Sequence, residues 1–452
     1  MPSAHKNQKT TTLTLLLQLW SASALLGCSQ PERALQPEPQ APTTLQAIVT
    51  SPAPAAPGKN EESPLRFVST PSGAYVRADK TSKSAILGQT MPKARLPVFE
   101  EVSVPSSGCK SELWLRVQYR GWLCSDLTRE AEAAEEVESH LENKTPHQKA
   151  QVIKETDLSS MPGGKPLLKQ DKGKTVSVLR IVTINGKDYA QTEGSAESTG
   201  GFVLAEDLKF LGKGSYRSSL RGEVFSPETT FPFVIFDDDT PLSQAPAGPV
   251  PKIGKDKKIE GAHKKRFERM SVLEQQEVDG KTYYRVDGGW FQRGSSTAII
   301  EKETTPEGVP EGSKWALVDL SEQLIIAYEG DAPKWATLTA TGKSSNKGAF
   351  WTVSGSFRLQ RKYRYKNMEG EPFGEHYLVE DVPWPQYFFE GYAIHGAFWH
   401  NRFGRVTSHG CVNLTPADAR WVADFLDPQL PPGWYSIFPT LEMETSVVVV
   451  RL

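Results

Sequence analysis

The alternation of apolar and polar residues predicts a protein built mainly from β-strands. Short alternating runs in the middle of the chain are separated by turn residues, and the dipeptides Asn185-Gly186 and Asp279-Gly280 are strong hairpin signals. Closer to the C-terminus, residues 315–328 alternate around a turn at Ser321-Glu322-Gln323, which predicts a further hairpin. The expected fold class is therefore mainly β.

Three segments repeat one order of predicted elements: an opening strand, a small-residue turn, a strand pair and a final glycine-aromatic step. We call them module one (65–129), module two (150–211) and module three (231–298). They resemble bacterial SH3-like domains, small barrels, and the resemblance is closer for module one than for the other two. Residues 130–149 are rich in Ala and Glu and are predicted to be a charged linker.

The N-terminus has the pattern of a signal peptide, predicted over residues 1–27. Lys6 and Lys9 precede an apolar stretch that is too short and too interrupted for a membrane-spanning helix. The stretch ends in Leu-Leu-Gly-Cys, which resembles the bacterial lipobox and implies that Cys28 is lipidated. An ordinary secretory signal is the alternative.

Residues 28–64 contain mostly Pro, Ala, Gln, Thr and Ser, so they cannot bury enough apolar surface to fold. We expect a disordered tether that follows a lipid anchor in the membrane. Ser29 rather than Asp follows Cys28, which by resemblance to known sorting places the protein on the periplasmic face of the outer membrane.

Charge gives no indication of a nucleic-acid partner, because 52 Lys and Arg residues nearly balance 54 Asp and Glu residues. The run Asp237-Asp238-Asp239 lacks the spacing of a calcium loop and is interpreted as a surface turn. The basic cluster His263-Lys264-Lys265-Arg266 is either a contact to the anionic cell wall or a solvated loop.

The chain has four cysteines, Cys28, Cys109, Cys124 and Cys411. In an exported protein Cys109 and Cys124, fifteen positions apart near the ends of predicted neighbouring strands, either form a disulfide or stay unpaired. If they are paired and Cys28 is lipidated, Cys411 is the one free thiol.

Residues 395–413 read HGAFWHNRFGRVTSHGCVN and bring a cysteine close to histidines. A free thiol is only a few per cent ionised at neutral pH, so a nucleophilic Cys411 needs a base. His395 and His409 are the candidates.

This segment resembles the signature of the YkuD-type L,D-transpeptidases: His-Gly, about a dozen residues, Ser/Thr-His-Gly-Cys, and a polar residue two positions later. The resemblance extends over residues 310–452 and implies a β-sandwich catalytic domain. Residues 352–357, Thr-Val-Ser-Gly-Ser-Phe, stand where the family usually has Thr-Pro-x-Gly-x-Phe, with Val353 in place of the proline.

The resemblance also implies roles for individual residues. Cys411 attacks the donor carbonyl, His395 takes the thiol proton, and the Gly396 carbonyl orients His395, while His409 is a supporting residue. The backbone N–H groups of residues 409–411 form the oxyanion hole. Support and oxyanion stabilisation fall to Ser408, Gly410 and Asn413, and substrate binding to Tyr387, Phe388 and His400.

The implied activity is acyl transfer on peptidoglycan stem peptides, without a cofactor. The acceptor is a stem amine, which gives a 3→3 cross-link, a protein lysine, or water. Alternatives are an L,D-carboxypeptidase or amidase, and a non-catalytic wall-binding lipoprotein. A zinc site formed by the three histidines and Cys411 matches no common spacing, so no metal is expected.

Overall fold

The structure is a computed structural model that describes residues 63–132, 148–192, 201–210, 220–256, 258–294, 296–342, 344–345, 348–349, 351–370 and 377–452. The predicted signal peptide, Cys28, nearly all of the tether and linker residues 133–147 lie outside this part of the chain. No helix in these ranges has the length and apolar character needed to cross a membrane.

The prediction of a mainly β protein is confirmed. Module one contains strands β1 to β8, which are Arg66–Thr70, Tyr75–Arg77, Ile86–Thr90, Ala94–Val98, Glu100–Ser103, Leu113–Arg116, Trp122–Cys124 and Arg129–Ala131. Module two contains β9 to β15, which are Gln148–Val152, Thr156–Ser159, Pro166–Gln170, Thr175–Ile184, Lys187–Thr192, Gly201–Leu204 and Leu208–Phe210. Short 3₁₀ turns lie at Gln118–Arg120, Ser125–Leu127 and Ala205–Asp207.

Strand β16, Glu223–Val224, precedes module three. Module three contains β17 to β24, which are Phe233–Phe236, Thr240–Pro241, His263–Lys264, Arg269–Ser271, Glu274–Val278, Lys281–Val286, Gly289–Gln292 and Thr297–Ile300. The predicted hairpins are present: Ile184 pairs with Lys187 across Asn185-Gly186, and Val278 pairs with Lys281 across Asp279-Gly280.

The C-terminal domain contains β25 to β38 and, among the described residues, one α-helix, α1 (Pro416–Phe425). The strands are Lys314–Asp319, Leu324–Glu329, Ala332–Leu338, Ser344–Ser345, Gly348–Ala349, Gly355–Arg358, Arg361–Tyr363, Tyr365–Gly370, Tyr377–Pro383, Gln386–Phe389, Tyr392–Gly396, Val412–Leu414, Trp434–Ile437 and Val447–Arg451. The predicted hairpin around residue 322 joins β25 to β26.

Two sheets carry the core of this domain. One has the order β16-β27-β26-β25-β38-β30, and the other includes β36-β35-β34-β31-β37. Helix α1 begins with Thr415 as N-cap, whose hydroxyl accepts a hydrogen bond from the Asp418 N–H, and with Pro416 at the first helical position. The core joins apolar side chains of both sheets and the helix, including Val318, Ile325, Phe388, Ile394, Val412 and Val422.

A segment outside the predicted 310–452 range completes the first sheet. Strand β16 pairs with β27 at its edge, with Glu223 opposite Ala336 and Val224 opposite Trp335. The N–H of Gly222 donates to the buried carboxylate of Asp418 at 2.8 Å. A Cβ on Gly222 would lie 1.8 Å from the Trp335 ring, so only glycine fits at this position.

Module one is joined to the second sheet through its backbone. Strand β3 pairs antiparallel with β37, with Gly88 opposite Ile437 and Gln89 opposite Ser436. The result is a ten-stranded sheet in the order β36-β35-β34-β31-β37-β3-β2-β7-β6-β5. Trp434 on β37 is fully buried in the core of module one.

Modules two and three also contact the C-terminal domain. In module two, Thr175 of β12 pairs with Val379 of β33. Module three shares a hydrophobic core with the first sheet, in which Phe233 and Ile235 join Trp315, Leu317 and Phe403.

Candidate active site

Two adjacent parallel strands bring the predicted nucleophile and base together. Strands β35 and β36 pair so that His395 lies opposite Asn413. Side chains alternate along a strand, so Ile394 and Val412 enter the core, whereas His395, Cys411 and Asn413 face the other side of the sheet. Cys411 contacts a small apolar cluster that includes Tyr387 and Ala393.

His395 is buried, and its ring is held by its own backbone neighbour. Nδ1 lies 3.3 Å from the carbonyl oxygen of Gly396, and the ring stacks on Trp399 at a centroid distance of 5.7 Å. A proton on Nδ1 makes this contact a hydrogen bond and leaves Nε2 as the basic nitrogen. Burial lowers the pKa of His395 to about 4, although the Gly396 hydrogen bond acts in the opposite direction.

Gly396 cannot be replaced easily, because the Pro383 ring and the Pro416 backbone lie close to it. A Cβ at this position would lie 2.8 Å from Pro383 and 2.9 Å from Pro416. The residue whose carbonyl holds His395 is therefore glycine for a steric reason.

Cys411 is a free, partly exposed cysteine. Its Sγ lies 3.7 Å from the carbonyl oxygen of Gly391, in the turn between β34 and β35. Burial raises the pKa of Cys411 to about 11, and a hydrogen bond from the Ala393 N–H counteracts part of this effect. The thiol and the His395 imidazole are thus both neutral at pH 7.

A network of hydroxyl groups shapes the turn that carries Cys411. Ser408 Oγ donates to the Cys411 carbonyl at 2.6 Å and accepts from the Gly410 N–H at 3.0 Å. Thr352 Oγ1 donates to the Gly410 carbonyl at 2.7 Å. Gly410 has a φ of 114°, and a Cβ there would lie 2.7 Å from the Tyr392 ring.

These contacts refine two expectations about the turn. The Gly410 N–H donates to Ser408 Oγ inside the turn, and its role in an oxyanion hole stays a prediction. His409 is exposed, and the buried histidine on the strand beside Cys411 is His395. Thr352 received no role from the sequence, although it lies in the segment that resembles the family motif.

Asn413 and His400 form a partly buried polar contact beside the pair. Nε2 of His400 lies 2.9 Å from Asn413 Nδ2, and Nδ1 of His400 accepts from the Arg402 N–H at 3.1 Å. A neutral ring that accepts at Nδ1 carries its proton on Nε2. An N–H of His400 and the NH₂ group of Asn413 are both donors and cannot bond to each other. Rotating the Asn413 amide by a half-turn presents its oxygen to His400 Nε2. The NH₂ group then takes the buried position in which Oδ1 has no hydrogen-bond partner.

His400 itself is kept neutral. Burial lowers its pKa to about 4, and the electrostatic interactions with His395 and with the Arg402 guanidinium act in the same direction. Its neutral form matches the hydrogen bonds that it makes.

The two aromatic residues predicted to bind substrate face opposite sides of their strand. Tyr387 packs in the cluster that contains Cys411, whereas Phe388 is fully buried in the core between the sheets. Phe388 therefore has no surface with which to contact a substrate, because strand alternation turns it away from the site.

Module three contacts the loop that carries His400. Arg266 Nη2 donates to the carbonyl oxygens of Asn401 and Phe403 at 3.0 and 3.1 Å, and Arg405 pairs with Asp238. Neither a wall contact nor a solvated loop, the two interpretations of the basic cluster 263–266, predicts these bonds. Burial raises the pKa of Asp237, which packs against Gly404.

Cys109 and Cys124 are joined by a disulfide, with an S–S distance of 2.06 Å. Together with Asp126 they are the only group of His, Cys, Asp and Glu residues close enough to share a metal ion within the described ranges. Their sulfur atoms are bonded to each other.

Comparison with known proteins gives one family match. Residues 313–449 match the model of YkuD, the L,D-transpeptidase catalytic domain, which is less than a third of the chain. No curated protein matches the chain.

Solved structures of L,D-transpeptidases overlap with the chain at low similarity. The overlap with the enzyme from Xylanimonas cellulosilytica has 22% identity, covers 33% of this chain and 64% of that one, and has a TM-score of 0.23. The corresponding values are 20%, 31%, 50% and 0.24 for Enterococcus faecium, and 15%, 61%, 99% and 0.25 for Mycobacterium smegmatis. The first two overlaps span less than two thirds of the solved chains.

The family match includes both strands of the site and the whole segment from His395 to Asn413. Residues 313–449 are therefore a YkuD domain, the catalytic domain of L,D-transpeptidases.

Proposed function

We propose that the protein is a cell-wall L,D-transpeptidase that acts on peptidoglycan stem peptides through an acyl-enzyme on Cys411. The observation that supports this most directly is a free, partly exposed thiol beside a buried neutral histidine on adjacent strands of a YkuD domain. A thiol and a positioned imidazole are what covalent acyl transfer requires.

The reaction has two steps. Cys411 Sγ attacks the carbonyl of the donor amide while its proton passes to Nε2 of His395, and the C–N bond then breaks as the leaving amine takes that proton. An acceptor amine or water next attacks the thioester, and the thiol is restored. Because burial holds both groups neutral, the proton moves during the attack rather than before it.

The decisive experiment incubates the purified protein with disaccharide-tetrapeptides and follows the products by mass spectrometry. We expect released D-alanine, a tripeptide thioester on Cys411, and cross-linked dimers. Tripeptides without dimers would instead indicate an L,D-carboxypeptidase, and a peptide joined to a protein lysine would indicate a protein acceptor.

Replacement of the nucleophile gives the matched test. Cys411→Ala is expected to abolish both the thioester and the dimers, with a melting temperature close to that of the wild type, because the side chain is partly exposed and its contact with the Gly391 carbonyl is long. Cross-links formed by the alanine variant would disprove the cysteine mechanism and leave a wall-binding role.

The proposal includes a lipid anchor at Cys28 on the periplasmic face of the outer membrane. It is supported by the Leu-Leu-Gly-Cys sequence and by the composition of residues 28–64. Expression in a bacterium with two membranes is expected to give an acylated protein in the outer-membrane fraction, and Cys28→Ala is expected to abolish acylation. A wild-type protein recovered without acyl chains would contradict the anchor.

A further inference from the structure

A buried hydroxyl group holds the peptide group that precedes Cys411. Thr352 is only 5% exposed, and its Oγ1 accepts a hydrogen bond from the Gly342 N–H at 2.9 Å. The Gly342 N–H can only donate, so the one hydroxyl hydrogen of Thr352 goes to the carbonyl oxygen of Gly410, which lies 2.7 Å away. The chemistry of the two backbone partners therefore fixes the direction of both hydrogen bonds.

The hydrogen bond to Gly410 also fixes the orientation of the Cys411 N–H. The Gly410 carbonyl and the Cys411 N–H belong to one planar peptide group, and in a trans peptide they point in opposite directions. The peptide group on the other side of Cys411 is held by Ser408, whose Oγ donates to the Cys411 carbonyl at 2.6 Å. Side-chain hydroxyls thus orient both peptide groups that flank the nucleophile.

Thr352 also connects the turn that carries Cys411 to the neighbouring backbone. Gly342 forms a parallel bridge with Ser408 at the start of the turn, and Thr352 joins Gly342 to Gly410 near its end. Backbone and hydroxyl contacts therefore hold the turn at both ends. A rotation of the peptide group before Cys411 would break the hydroxyl contact.

We propose that Thr352 is a positioning residue for acyl transfer, which directs the Cys411 N–H towards the oxygen that becomes negative during the attack. The inference rests on the proposed function, because this negative oxygen forms only when Sγ attacks a carbonyl. In that step the Sγ–C bond forms, the π electrons of the carbonyl move onto its oxygen, and the thiol proton passes to His395. The oxygen lies two bonds from Sγ, so the N–H of the same residue is within its reach. A backbone N–H stabilises such an oxygen best when its direction is set before the reaction.

The test compares two reactions of the same thiol, of which only one forms a negative oxygen. A carbapenem acylates Cys411 through attack on a carbonyl, whereas iodoacetamide alkylates it by displacement of iodide from a saturated carbon. The second-order rates of both reactions are measured in the full chain by mass spectrometry of the peptide that contains Cys411. The variants are Thr352→Val, which removes the hydroxyl with little change in volume, and Thr352→Ser, which keeps it.

Thr352→Val is expected to slow acylation about 10- to 100-fold, because small displacements at a reaction centre have effects of this size. Its alkylation rate is expected to stay close to the wild-type rate, and Thr352→Ser is expected to restore acylation. A general change in packing around Cys411 would alter both reactions to the same extent, so equal losses in the two rates would overturn the positioning role. An unchanged acylation rate in Thr352→Val would overturn it as well.

Thr339→Val is the matched control. Thr339 is fully buried, and its hydroxyl donates to the carbonyl of Asn413, two positions after Cys411, at 2.9 Å. The control variant therefore loses a comparable buried hydrogen bond, and it is expected to keep the wild-type ratio of the acylation rate to the alkylation rate. If Thr352→Val does not fold, Thr352→Ala carries the test. If the carbapenem does not acylate the wild type, the proposed function fails; if acylation is normal in the folded Thr352 variants, only the positioning role fails.

Discussion

His395 and Cys411 lie on adjacent strands as two uncharged groups, and this determines how the proposed acyl transfer depends on pH. Burial lowers the pKa of the imidazole and raises that of the thiol, so the reactive pair persists from about pH 4 to about pH 11. Below that range His395 is protonated and cannot accept the thiol proton.

We therefore predict that the acid limb of the acylation rate lies near pH 4 rather than near pH 6.5, the ordinary value for histidine. The measurement is the second-order rate of Cys411 acylation by a carbapenem, followed by mass spectrometry across the acid range. Circular dichroism at each pH serves as the control for folding. An acid limb near pH 6.5 would show that His395 is solvated in the working enzyme.

Individual residues differ in how well the sequence predicts their contacts. The Gly396 carbonyl adjoins His395 in the chain, and the family resemblance included this contact. The contact of Thr352 with Gly410 joins residues 58 positions apart. The exposed state of His409 could not be predicted either, since it depends on which residues pack over the turn.

The loop between β35 and β36 contacts the catalytic domain on one side and module three on the other. Its residue His400 contacts Asn413, and its carbonyls at Asn401 and Phe403 accept hydrogen bonds from Arg266. The position of this loop beside the reactive pair thus depends on a residue outside the matched YkuD range.

We predict that Arg266→Met lowers the rate of Cys411 acylation about 10- to 100-fold, since small displacements at a reaction centre have effects of this size. Arg285→Met is the control, because Arg285 lies on β22 of the same module and pairs with Glu274 at the surface. Equal rates in the two variants would mean that the loop keeps its position without Arg266. Thermal unfolding of both variants distinguishes a local effect from a general loss of stability.

A buried lysine lies at the C-terminal end of α1. Lys362 on β31 is almost completely buried, and its Nζ donates to the Ala423 carbonyl at 3.0 Å and also to the Leu426 carbonyl. A cation at this end of a helix satisfies carbonyls that have no helical partner. Desolvation nevertheless lowers its pKa to about 7, while nearby Asp427 and Asp424 raise it.

This shift predicts a pH-dependent stability. Between about pH 7 and the ordinary lysine pKa of 10.5, the unfolded chain holds a proton that folded Lys362 releases, so the free energy of unfolding rises with pH. Lys362→Met is expected to reduce this slope, as measured by urea unfolding at several pH values. Lys334→Met removes a partly exposed lysine paired with Glu329 and should leave the slope unchanged.

The sequence predicts elements formed by neighbouring residues well, and it does not indicate elements formed by distant ones. The hairpins at Asn185-Gly186 and Asp279-Gly280 depend on local turn preferences that the sequence displays directly. Strand β16 has two residues and joins β27 more than a hundred positions later, so no local periodicity indicates it. The mainly β fold class therefore follows from local turn preferences. The packing of the modules depends on pairing between residues far apart in the chain.

In the whole molecule, module one and the catalytic domain share one sheet and one core. Removal of residues 63–131 would expose the edge of β37 together with the buried faces of Trp434 and Ile437. We predict that this truncation lowers the melting temperature by about 10 °C or more and promotes aggregation, because apolar surface and an unpaired strand edge become exposed. A chain lacking only residues 1–62 is the control, and equal melting temperatures of the two would contradict a shared core.

The pairing of β3 with β37 also fixes a direction. A flexible joint would let the catalytic domain turn independently of module one, but a backbone ladder sets the angle between the strands of module one and those that present Cys411. A surface that binds module one would therefore also fix the direction of the strands that carry Cys411. The direction of the strands that present Cys411 is then set by module one, well away from the sulfur itself.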